Sequence, residues 1–63
     1  MMQAIGDRYS EAAAQYYIGR TLAQLDQTPA AIQAYASARD IFADIQLENL
    51  VQLCQEAIDA LSQ

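Results

Sequence analysis

The chain has 63 residues, and a domain of that size buries only about 60% of the surface its unfolded form exposes, which excludes a large enzyme core. Of its 34 hydrophobic residues 13 are Ala, so few large side chains are left to build an interior. Eight acids against three Arg give a net charge of -5, which excludes the basic footprint that nucleic-acid binding needs. With no His and a single Cys, the chain also lacks the ligand sets of zinc and haem sites and the residues of Ser-His-Asp and Cys-His catalysis.

No stretch approaches the roughly 20 apolar residues of a membrane-spanning helix, and the first residues lack the basic start and apolar run of a secretory signal. A lone thiol is ordinary in a reducing compartment. A cytoplasmic protein without membrane insertion, cofactor or metal is therefore expected. Charge is uneven along the chain. Up to Arg39 the acids Asp7, Glu11 and Asp26 are balanced by Arg8, Arg20 and Arg39; Asp40, Asp44, Glu48, Glu56 and Asp59 follow with no base, so the whole excess of -5 lies in the last 24 residues.

Ala, Gln, Leu, Glu and Arg dominate, which predicts helix throughout and an all-α fold. The first helix is predicted over about residues 8–25, with Glu11, Ala14, Ile18, Leu22 and Leu25 along one stripe that faces the core, apart from Glu11 at its wet end. Across the helix lie Tyr9, Ala13, Tyr16, Arg20 and Ala23, a second face that needs something else to meet: a third helix, another chain or a ligand peptide. Thr28 followed by Pro29 predicts a helix start, with the hydroxyl as cap and proline at the first helical position. The second helix runs over about 29–45 with Ala31, Ile32, Tyr35, Ala38, Phe42 and Ile45 inward. The apolar phase then slips between Ile45 and Leu47. A turn there opens a third helix over about 47–61, with one continuous helix as the alternative.

In sequence order, Gln15, Ile18-Gly19, Leu22, the turn at Asp26 to Thr28, then Ala31, Tyr35 and Ala38 resemble the tetratricopeptide repeat. Gly19 and Ala31 lack bulk where two helices of such a hairpin cross. Residues Ala31 to Ile45 resemble the second helix of the longer bacterial variety, and Ala4-Ile5-Gly6-Asp7 resembles the closing turn of a preceding repeat. The chain reads as one helical domain over residues 1–63, a repeat and a half long, either complete or a segment of a longer repeat protein. Gln15, Leu22, Asp26, Arg39 and Gln46-Leu47 depart from the family's pattern. The resemblance implies a three-helix hairpin plus capping helix and a non-catalytic scaffold that binds a protein or peptide partner on its first helix, through Ala13, Tyr16, Arg20, Ala23 and Gln24. Periodicity reaches Tyr16 and Arg20 independently. The alternative is a helical homodimer joined through the third helix or the Tyr-bearing face. Tyr9 and Tyr17 read as packing residues, Cys54 as a buried inert thiol on the third helix's stripe, and Asp40 with Asp44 as an exposed polar edge.

Overall fold

A computed structural model of the chain describes residues 5–62, and they form three α helices without a strand: α1 (Ile5–Gln24), α2 (Thr28–Asp44) and α3 (Glu48–Leu61). The all-α class is as the composition predicts. α2 is the middle element, with α1 and α3 both packed against it, in a slab of 38 × 19 × 12 Å.

Two turns of the same construction join the helices. In the first, the Asp26 N–H donates to the Ala23 carbonyl at 3.1 Å and the Gln27 N–H to the Leu22 carbonyl at 2.8 Å. In the second, the Gln46 N–H donates to Ala43 at 3.1 Å and the Leu47 N–H to Phe42 at 2.9 Å. This double pattern satisfies the last helical carbonyls and requires a left-handed residue between them. Asp26 and Gln46 supply it, each at φ 60°. The break before α3 is therefore real, and the slip in apolar phase between Ile45 and Leu47 marks it correctly even though no Gly or Pro does.

Helix starts differ from the sequence expectation in two places. α1 is already helical at Ile5, so Gly6 and Asp7 belong to its first turn and form no closing turn of an earlier helix; Ala4 lies outside the described residues. Asp7 suits that place, because a carboxylate in a first turn complements the positive end of the helix dipole. At α2 the residue preceding the helix is Gln27, with no side-chain capping bond. The tight turn is the reason: the residue that closes α1 is also the one that opens α2, so Thr28 is already inside the helix and its hydroxyl is not placed to cap.

The larger correction concerns α1. Of the expected core stripe, Ala14 is exposed, Ile18 is 47% and Leu25 64% exposed, and only Leu22 packs inward; Glu11 is exposed, as expected of the wet end. The buried positions are Ala12 and Gly19, the second of them at the helix crossing where a small residue is expected, flanked by half-buried Arg8, Gln15, Tyr16, Leu22 and Ala23. A Cβ on Gly19 would stand 2.9 Å from Cδ1 of Tyr35. The α1–α2 contact is thus made close by small residues on α1, while α2 supplies the rings. Small side chains contribute little to an apolar periodicity, so the true contact face of α1 is nearly silent in the sequence.

The interior divides into two clusters. Ala12, Ala38, Ile41, Phe42 and Cys54 form one, with Leu47, Leu50 and Val51 against it; Ala31, Tyr35 and Ile58 form the other, with Leu22, Ala23 and Leu61 against it. Tyr16 packs on both, so it is the hinge of the core as well as a residue of the α1 surface.

Candidate interaction surface

α1 and α3 flank α2 and leave a shallow trough between them. It is lined by Tyr9, Ala13, Tyr16 and Tyr17 from α1, Phe42 from α2, and Leu50 and Leu53 from α3, and encloses about 150 Å³. The α1 residues recur at three- and four-residue steps, which sets them on one side of the helix. Phe42 forms the floor. The Tyr9 ring meets it edge-on with centroids 5.8 Å apart and planes at 68°. Tyr16 lies 5.3 Å from Tyr35 and 5.9 Å from Tyr17, so the aromatic surface continues from the core to the rim. Around the trough Tyr9 is 46%, Tyr17 61% and Leu53 41% exposed.

Of the five residues expected to contact a partner, Ala13 and Tyr16 line this trough. Arg20 is exposed beside it, its guanidinium carbon 5.8 Å from the centroid of the Tyr17 ring. Ala23 is turned toward the second core cluster, and Gln24 is exposed at the end of α1. The trough also recruits Tyr9, which the helical period sets on the same second face, and Tyr17, Phe42, Leu50 and Leu53, which the sequence does not assign to a binding face. A signal for two of them existed: Leu53 lies off the apolar stripe of its own helix, and Tyr17 adjoins Tyr16 on a helix where neighbours point about 100° apart.

The other two arginines tie helices together. Arg8 reaches Asp44 at 2.8 Å and Glu11 at 3.3 Å, joining the start of α1 to the end of α2. Arg39 donates to Oε1 of Gln55 at 2.8 Å and lies 3.6 Å from Asp40, and Nε2 of Gln55 donates to Asp59 at 3.0 Å, which links α2 to α3. None of the ion pairs among the described residues involves Arg20. Asp40 and Asp44 are thus drawn to different arginines and form no joint carboxylate site.

Cys54 is a free thiol buried on the inner stripe of α3. Burial pushes its pKa above the ordinary thiol value, and Arg39 offsets this only in part. Burial also raises Tyr35, assisted by the neighbouring Tyr16, against the pull of Arg20. Both groups therefore stay neutral well into alkaline pH, which suits packing and not nucleophilic chemistry.

Among the described residues no helix is long and apolar enough to cross a membrane. No family model matches the chain, and neither the curated proteins nor the solved structures contain a match to it.

Proposed function

We propose that this chain is a non-catalytic, cytoplasmic protein-interaction module, a scaffold of the tetratricopeptide kind, which holds a protein or peptide partner along α1. The observation that carries the reading is the clustering of Tyr9, Tyr17 and Leu53, three large and substantially exposed apolar side chains, around one aromatic-floored trough. Scattered exposed apolar residues are normal on any protein, whereas a contiguous set with aromatic members marks a contact site. Ala13 gives a partner backbone room to approach, Tyr16 provides the wall, and Arg20 with Gln24 offers polar contacts at the end toward the α1 C-terminus. Ala23 packs against the cluster of Ala31, Tyr35 and Ile58 and anchors this stretch of α1 to the core.

The test is to select peptides by display against the folded chain and to map the selected binders by amide chemical shifts. Shifts concentrated on Tyr9, Ala13, Tyr17, Leu50 and Leu53 are expected, and the pair Tyr17→Ala, Leu53→Ser should weaken binding more than about tenfold, the loss that follows from removing two anchors. Both changes sit on exposed side chains, so the fold should survive, as circular dichroism would verify. Undiminished binding by that double variant, or shifts mapping to another face, overturns the reading. A Tyr16→Ala change is unsuitable, because Tyr16 packs on both core clusters.

A second reading, the helical homodimer, is favoured by a separate observation: Ile18 on α1 and Leu25 just past its end, about two turns apart, are both exposed. Sedimentation equilibrium over a wide concentration range decides it, since a strictly monomeric chain has no such interface.

A further inference from the structure

The trough does not end at Leu50. A second depression of about 440 Å³, at the α2–α3 turn, is lined by Tyr9, Gln46, Leu47, Glu48, Asn49 and Leu50, and shares Tyr9 and Leu50 with the aromatic trough. Glu48 therefore borders the same continuous surface at its α3 N-terminal end. None of the ion pairs among the described residues involves Glu48, whereas Asp44 nearby is taken by Arg8. At the far end, on α1, stands Arg20. Tyr9 and Arg20 are eleven residues apart on one helix, about 16 Å at 1.5 Å per residue. An extended peptide covers that distance in about five residues.

We infer that this trough takes a basic peptide segment, which seats an aliphatic or aromatic side chain among Tyr9, Tyr17 and Leu53 and sets a Lys or Arg beside Glu48. The inference rests on the trough being a binding site and adds what it binds. Charge complementarity selects the occupant. α3 carries Glu48, Glu56 and Asp59 with no base, so the potential over the α3 wall is negative, whereas Asp40 and Asp44 lie on α2 beside Arg39 and Arg8. The same charge argues against a second copy as occupant, since that copy would bring another -5 to the contact. Arg20 gives the trough a polarity, with the basic end of the peptide at Glu48 and a neutral or acidic end at Arg20.

Three capped synthetic peptides of equal length test the idea by fluorescence anisotropy on the full chain: one with Leu anchors and Lys at one end, one with Glu in place of Lys, and one that keeps Lys but replaces the Leu anchors by Ser. The first should bind, the other two should bind at least about tenfold more weakly, and added salt should weaken the first. Glu48→Gln should weaken it about twofold to fivefold, the range for one exposed ion pair, while Asp40→Asn should leave it unchanged. Asp40 lies beside Arg39, whose partner Gln55 is on a different side of α3 from Leu53, so this second variant makes the same change in net charge away from the trough. Equal losses in both variants mean charge without location and overturn the inference. If the Leu peptides bind regardless of charge, the trough survives as a site but its preference for a basic segment does not. Failure of every peptide to bind removes both. Self-association of the chain that Leu53→Ser abolishes identifies a second copy as the occupant and overturns the inference as well.

Discussion

Gly19 shows how one side chain, by its absence, sets the distance between two helices. An Ala there gains about 1 kcal/mol of helix propensity, but its methyl group would sit 2.9 to 3.1 Å from three atoms of the buried Tyr35 ring, which is rigid and cannot swing aside. Overpacking of this kind costs about 1–3 kcal/mol. Gly19→Ala should therefore lower stability in urea unfolding despite its better propensity. Gly6→Ala is the internal control: nothing lies within 4 Å of its added Cβ, so it should be neutral or stabilising by up to about 1 kcal/mol.

Cys54 and Tyr35 make a second prediction at this scale. Both are raised above their ordinary values of 9.0 and 10.0 by burial, so on raising the pH the unfolded chain gives up these protons before the folded one does. Their stabilising contribution is complete below the ordinary values and is lost as the pH climbs through the raised ones. The urea midpoint should fall as the pH rises past the ordinary thiol value of 9.0, and the pair Cys54→Ala, Tyr35→Phe should flatten that dependence. An unchanged slope in the double variant would assign the alkaline loss to other groups. The thiol should also resist alkylation until the chain unfolds.

At the scale of the elements, the two turns hold the residues with positive φ among those described. Each needs a left-handed residue, and the chain offers Asp26 and Gln46 where glycine would be free of strain. The left-handed conformation costs about 1–2 kcal/mol for a residue with a Cβ, and Asp tolerates it better than Gln because its short side chain bonds locally. Gln46→Gly should raise the melting temperature, and by more than Asp26→Gly does. A fall in either would mean that the side chain makes a contact worth more than the strain. The same absence of glycine is why the second turn is legible only as a slip of apolar phase. α2 and α3 are legible because most of their large apolar residues fall on one stripe each, Leu53 being the exception on α3. The covered side of α1 is not legible in this way because apolar residues occur on every side of it, and two large aliphatic residues of the expected stripe, Ile18 and Leu25, are exposed.

Over the whole molecule, α2 is the shared partner and neither cluster is complete without α3, which contributes Cys54 to one and Ile58 to the other. Deleting residues from 48 onward should therefore abolish cooperative unfolding as followed by circular dichroism, since the remaining two helices would expose Phe42, Ala38 and Tyr35. A cooperative transition in the truncated chain would show the α1–α2 pair to be self-sufficient. The sequence by itself determined the helical class, the three segments, the need for small residues at Gly19 and Ala31, the burial of Cys54 and the placing of excess negative charge in the last third. These are local properties: propensity, apolar period, and charge counted along the chain. Only the tertiary structure decided which side of α1 is covered, because that depends on which helix brings the bulk to the contact, and here α2 brings it. For the same reason the trough was half visible. Ala13, Tyr16 and Arg20 share a helix and a period, but Phe42, Leu50 and Leu53 join them only through the packing of α1 and α3 on α2, a relation between segments that no spacing within one segment encodes.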